Sequence, residues 1–137
     1  MKYNQDVRLV SLRPKGDDRG KLIAIEENTE SLPFSVKRVY YIYDTTPNVV
    51  RGKHAHRNLK QLLICTSGNC TIMCDDGVQR VEYTLNWPDK GLLIDGLIWR
   101  EMKDFSKGSV LMVLASDRYD ESDYIRDYGV FKEELLK

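Results

Sequence analysis

Short apolar runs separated by turn residues recur along most of the chain. Leu22 to Ile25 is one. Val36 to Tyr43 is stronger, dense in Val, Tyr and Ile, and Thr45-Thr46-Pro47-Asn48 breaks it. Gln61 to Cys65 and Cys70 to Cys74 flank the turn Ser67-Gly68-Asn69. Val78 to Leu85, Gly91 to Ile94 and Val110 to Ala115 complete the series. Brief runs rich in β-branched and aromatic residues predict strands, and this many at close spacing predict an all-β sandwich or barrel. Asp75-Asp76-Gly77 predicts a tight hairpin, because Asp and Gly tolerate the positive φ such turns need. After Glu121 the pattern changes. The tail is polar, and Phe131 to Leu136 predicts a short helix, with Leu135 placed to pack back onto the strands.

Composition narrows the class. The 137 residues fit one domain, 1–137, around one core. Neither a repeat nor a linker interrupts them. Lys+Arg and Asp+Glu are both 21, for a formal net charge of zero. That balance argues against a nucleic-acid partner or an acidic membrane surface, so an anion site has to be a local cluster of basic residues. No apolar run approaches a membrane span, and Met1 to Asp6 lacks an apolar signal region. The cysteines, Cys65, Cys70 and Cys74, are odd in number and form no C-x-x-C pair. Both features predict a reducing, cytoplasmic location and cysteines that serve as buried small hydrophobes.

Chemistry concentrates at His54-Ala55-His56, which holds both histidines of the chain. Residues two apart on a strand share a face, so both imidazoles point the same way. Arg57-Asn58-Leu59-Lys60 then allows a turn, and Gln61 opens the next strand opposite them. The pattern H-x-H-x4-Q-x6-G therefore gathers three polar side chains at one place inside a barrel.

This spacing resembles the first motif of the cupins, small jelly-roll barrels built as a double-stranded β-helix. In cupins a Glu usually stands where Gln61 is, and a second motif adds a histidine; the four side chains bind a metal. Here the Glu is a neutral amide. Arg100 stands where the second-motif histidine is expected, and a guanidinium repels a cation. No metal and no other cofactor are expected.

A closer resemblance covers nearly the whole chain. Five blocks are similar in order to the sugar-nucleotide 3,4-ketoisomerases that act on dTDP-4-keto-6-deoxy-glucose: Asp18 to Glu26, Pro33 to Tyr41, Arg51 to His56, Trp99 to Phe105, and Val113 to Ser116 with Tyr119 to Arg126. The resemblance implies a cupin barrel with a short helical tail, a dTDP-linked sugar substrate, a homodimer, and a step that precedes 3-amino-sugar synthesis for a surface glycan. A dTDP-sugar 3,5-epimerase and a non-catalytic sugar-nucleotide-binding cupin are the alternatives.

The reaction moves a carbonyl from C4 to C3 through an enediolate, and so needs a base, a proton carrier and donors to the developing oxyanion. Histidine suits the first two roles near neutral pH. His54 and His56 are the candidate acid–base pair, with Tyr41 and Arg100 as oxyanion donors. Gln61 is placed to orient a hydroxyl or an imidazole. Arg38, Arg51 and Lys53 are candidates for the pyrophosphate, because arginine forks grip phosphate oxygens. Tyr40, Tyr41 and Trp99 each suit a sugar or base contact as well as they suit the core. Arg19 and Arg100 stand where relatives differ with product configuration at C4. Arginine at both fits neither pattern, so the product is left open between gluco and galacto.

Overall fold

Apolar alternation along the strands is resolved by two antiparallel sheets that share one interior. The computed structural model describes residues 6–137. The first sheet has five strands in the order β1 (Val7–Ser11), β9 (Lys90–Ile94), β6 (Gln61–Ser67), β11 (Val110–Ala115) and β4 (Arg38–Tyr43). The second runs β12 (Tyr124–Ile125), β5 (Arg51–His56), β10 (Trp99–Lys103), β7 (Cys70–Asp75) and β8 (Arg80–Leu85). A separate hairpin, β2 (Lys15–Asp17) with β3 (Gly20–Leu22), stands apart from both. From β4 onward the chain passes from one sheet to the other at almost every connection. That path is the jelly-roll, double-stranded β-helix of the cupin type expected from the pattern.

Three apolar clusters hold this arrangement. The interior is filled from both sheets, by Leu63, Leu92 and Val113 on one side and Ile72, Leu85 and Met102 on the other. All three cysteines are buried there without a disulfide, as expected of small hydrophobes. A second cluster covers the outer face of the first sheet, where Leu32 and Phe34 pack over Leu62, Ile64 and Leu93. Ile23 and Ile25 join this cover. The predicted strand at Leu22 to Ile25 is therefore only the end of β3, and the residues after it lie across a sheet instead of extending one. The third cluster closes the outer face of the second sheet with Ala55, Met73, Trp99, Ile125 and Phe131.

Helix α1 (Tyr128–Glu134) supplies Phe131 to that third cluster. It starts earlier than the apolar pattern predicts because Asp127 caps it, accepting a hydrogen bond from the Val130 N–H at 3.0 Å. Leu135 packs onto the same cluster, as predicted. The Asp76-Gly77 turn joins β7 to β8. Gly77 has φ 93°, and the Asp76 carboxylate accepts from the N–H groups of Val78 and Gln79. No helix among the described residues is long and apolar enough to cross a membrane.

Candidate active site

The site is built on β5 and on a bulge within it. Arg100 pairs with His54, but the next residue of β10, Glu101, pairs with Gly52, and Met102 with Arg51. Lys53 is thus an extra residue, and the left-handed backbone at Gly52 (φ 84°) and Lys53 (φ 52°) absorbs it. Antiparallel partners share a face. Beyond the bulge Arg51 therefore stands on the face of the buried Met102, which is also the face of His54, although the two are three residues apart. Strict alternation would have turned Arg51 away.

His54 and His56 lie edge to face, with ring centroids 4.8 Å apart. The residue Tyr124 on β12 pairs with His56 across the strands, and its ring packs 4.9 Å from the His54 ring and 4.3 Å from the His56 ring. Each Nδ1 already has a partner. His54 Nδ1 lies 2.9 Å from the Gly52 carbonyl oxygen, and His56 Nδ1 lies 3.0 Å from the Asp123 carboxylate. Both partners accept, so Nδ1 carries the proton and Nε2 keeps a free lone pair in the neutral ring. His56 Nε2 is buried and finds no hydrogen-bond partner among the described residues.

Electrostatics favour those neutral rings. Burial first, and then the Arg100 guanidinium, push His54 down to about 4. The same two causes, followed by His54, Arg38 and Arg126, push His56 down to about 2. The contact with Asp123 pulls the other way, but burial and three guanidiniums outweigh it. At pH 7 it is a hydrogen bond from neutral imidazole to carboxylate, not an ion pair.

Behind the histidines runs a buried relay. Arg100 is fully buried, and donates to the Gln61 amide oxygen and to the Ile98 carbonyl (3.2 and 3.3 Å). The Gln61 amide nitrogen donates to the Tyr40 hydroxyl at 3.1 Å. That hydroxyl accepts from Gln61, so its own proton is free to be given elsewhere. Burial raises its pKa and keeps it protonated. Among the described residues no group of three or more His, Cys, Asp or Glu could hold a metal ion.

The residues open onto a cleft of about 360 Å³ lined by Tyr40, His54 and Tyr124 and by three arginines, Arg38, Arg51 and Arg126. A second cavity of about 270 Å³ shares the Arg38 and Tyr124 walls and reaches His56 and Asp123. Arg126 is paired with Glu121 at 2.9 Å and lies 4.3 Å over the Tyr124 ring. Arg38 sits 5.4 Å from the Tyr40 ring and 5.7 Å from the Tyr119 ring, and its Nε is buried without a partner among the described residues.

Of the residues singled out in the sequence, His54, His56, Gln61, Arg38 and Arg51 come together here. Arg100 joins them from beneath, through Gln61, and not as a wall of the cleft. Four others do not join. Tyr41 is 63% exposed on the outer face of β4, because inward and outward residues alternate there and Tyr40 takes the inward place. Trp99 faces away from Arg100, in the apolar cluster against Tyr128 and Phe131, where its Nε1 donates to Glu101. Lys53 is the extra residue of the bulge and is exposed. Arg19 lies exposed in the β2–β3 turn, paired with Asp17 at 2.7 Å. Sequence reasoning left Tyr40 open between the core and a ligand contact, and missed Asp123 and Tyr124. Placing Tyr40 inward needed the register of β4, and β12 is two residues long with no periodic signal.

A jelly-roll barrel carrying a His-x-His pair, backed by a buried amide and guanidinium, defines a cupin-type protein suited to moving protons. The chain belongs to the FdtA family: the model described as WxcM-like, C-terminal, matches residues 5–135. It is similar to the TDP-4-oxo-6-deoxy-alpha-D-glucose-3,4-oxoisomerase of Aneurinibacillus thermoaerophilus, with 49% identity over 130 residues, 95% of this chain and 93% of that one. A 3,4-ketoisomerase from Helicobacter canadensis superposes with a TM-score of 0.92 at 46% identity, covering 96% of this chain and 98% of the other. So does a histidine-to-asparagine mutant of the 3,4-ketoisomerase QdtA from Thermoanaerobacterium thermosaccharolyticum, solved with TDP-4-keto-6-deoxyglucose (TM-score 0.92, 42% identity, 95% and 94% covered).

Proposed function

We propose that this chain is a sugar 3,4-ketoisomerase that converts dTDP-4-keto-6-deoxy-D-glucose to a dTDP-3-keto-6-deoxyhexose. The observation that carries the proposal is the pair of neutral imidazoles, each with Nδ1 committed and Nε2 free, beside a cleft walled by arginines. The relatives named above support the substrate class.

In this reading His54, the imidazole that lines the arginine-walled cleft, takes the proton on C3, which the C4 ketone acidifies. The C–H electron pair forms the C3=C4 bond, and the carbonyl pair moves onto O4. The Tyr40 hydroxyl donates to that oxyanion. The O3 proton passes by way of the Tyr40 hydroxyl to O4, C3 becomes the carbonyl, and C4 receives the proton taken from C3, handed on by the imidazole pair. The sum is an isomerisation, and no oxidant or reductant is consumed. Arg38 and Arg51 hold the pyrophosphate by bidentate hydrogen bonds. Arg100 acts through Gln61 and through its charge, which keeps both imidazoles neutral and ready to accept.

The same reading includes a homodimer. Val39, Tyr41 and Tyr43 lie 53–64% exposed along the outer face of β4, an edge strand, and an apolar stripe of this kind is suited to a second copy. Sedimentation at micromolar concentration tests it, and a species of 15.9 kDa speaks against it.

The central experiment incubates the protein with dTDP-4-keto-6-deoxy-glucose in deuterated water and follows the sugar by NMR. A 3-keto product that has lost the C3 proton is expected, with any solvent exchange confined to C3 of the remaining substrate and C4 of the product. Exchange at C5 identifies an epimerase instead, and binding without conversion a carrier.

A further inference from the structure

Three arginines wall the cleft, and they are not in the same state. Arg38 and Arg51 have no carboxylate partner among the described residues. Arg126 has one. Its Nε and one terminal nitrogen donate side-on to the two oxygens of Glu121, at 2.9 and 3.0 Å. The Tyr119 hydroxyl donates to the same carboxylate. Arg126 also lies 4.3 Å over the Tyr124 ring, which packs against His54. Glu121 stays charged at any working pH, because Arg126 first and Tyr119 second hold it down to about 2. Its side chain is 59% exposed and that of Arg126 52%. Glu121 opens the 3-10 turn Glu121–Asp123, so the carboxylate can swing into water while the turn stays in place. An exposed pair of this kind contributes little to folding. A carboxylate that grips a guanidinium with both oxygens does, however, mimic a phosphate.

We propose that Glu121 is a resident counter-anion that occupies the Arg126 fork until the substrate diphosphate displaces it, and so sets how tightly the sugar nucleotide is held. This rests on the ketoisomerase reading above, which gives the diphosphate to Arg38 and Arg51, and adds a third arginine that the ligand wins from the protein itself. Breaking the internal pair weakens binding. As the product leaves, Glu121 retakes the fork and favours release. His54 and Tyr40 keep their places throughout, so the effect falls on affinity and not on proton transfer.

The test is a double-mutant cycle of Glu121→Gln and Arg126→Gln, with dTDP titrated by calorimetry into wild type and each variant. Both side chains are more than half exposed, so the variants fold. Glu121→Gln keeps the size of the side chain and removes the charge that competes. It should bind dTDP about three- to tenfold more tightly, with KM falling alike and the single-turnover rate of isomerisation within about twofold of wild type. Arg126→Gln should bind dTDP about tenfold more weakly. On that background Glu121→Gln should change nothing further, because the fork that the two anions share is gone. A pair that merely supports Arg126 predicts the opposite sign, looser binding in Glu121→Gln. Weaker or unchanged dTDP binding in Glu121→Gln overturns the proposal. So does equal tightening with and without Arg126, which identifies plain repulsion between carboxylate and ligand instead of exchange on one guanidinium. A wild-type protein that binds dTDP but leaves the keto sugar unconverted overturns the ketoisomerase reading instead, so the two failures are distinct.

Discussion

His54 Nδ1 lies 2.9 Å from the carbonyl oxygen of Gly52, two residues back on the same strand. The bulge that swings Arg51 into the cleft thus also sets the tautomer of the histidine beside it. Gly52 holds φ 84°, and a Cβ there would meet the Arg100 carbonyl oxygen at 3.2 Å. One glycine therefore couples the placement of Arg51 to that of His54.

Gly52→Ala should lower stability by about 1–2 kcal/mol, from the left-handed backbone and the close carbonyl together. Turnover should fall more than that loss explains, because Arg51 and His54 shift with the bulge. Urea unfolding and steady-state kinetics on the same preparation check this. Wild-type stability with wild-type turnover would show that the bulge accepts a side chain and is not the coupling device described.

Tyr40 and Tyr41 are neighbours with opposite expected phenotypes. Tyr40→Phe removes the hydroxyl that Gln61 holds toward the cleft, and should cost about a hundredfold in kcat, the usual loss of one oxyanion donor. Tyr41→Phe, on the outer face, should leave kcat within about twofold. Equal losses in both variants would contradict the assignment of the donor role to the inward tyrosine.

Much of this was legible in the sequence, and the illegible part has physical causes. Strand-forming runs and the Asp76-Gly77 turn predicted the barrel because period-two burial is local. The His54–His56 face was legible for the same reason. Tyr41 was chosen over Tyr40 because alternation tells that two residues face apart, but not which one faces in; that is set by pairing with β11, about seventy residues away. Arg51 depended on a bulge, which a one-residue insertion creates without any periodic trace. Asp123 reaches His56 only through the closure of β12 onto β5, a long-range contact with no counterpart in local sequence. Trp99 has an aromatic's usual ambiguity, and its partners on α1 decided it for the core.

Turnover should survive prolonged dialysis against a chelator. Arg100 and Gln61 occupy the neighbourhood where a cupin metal would sit, and a buried guanidinium disfavours a divalent cation there. Loss of activity restored by a divalent metal, at stoichiometric binding, would contradict the proton-transfer site described.

The final expectation concerns pH. His54 is pushed down to about 4 by burial first and Arg100 second, with Arg126 adding to the push and Glu121 and the Gly52 carbonyl opposing it. A histidine in an unfolded chain titrates near 6.5. Between these values the unfolded chain binds a proton that the folded chain refuses, so stability rises with pH across that window. It is fully present above about 6.5 and is lost as pH falls, at up to about 1.4 kcal/mol per pH unit for each imidazole. His56, pushed down to about 2, prolongs the loss to lower pH. Both imidazoles are therefore neutral throughout the physiological range. The profile of kcat/KM, which reports the free enzyme, should be flat from about pH 6 to 8, with an acid limb well below the ordinary histidine value. Arg100→Met removes the second cause of the depression and leaves burial. The His54 titration, followed by NMR, should move part of the way back toward 6.5, and the acid limb should move with it. A wild-type limb centred near 6.5 would mean that neither burial nor Arg100 governs the working imidazoles.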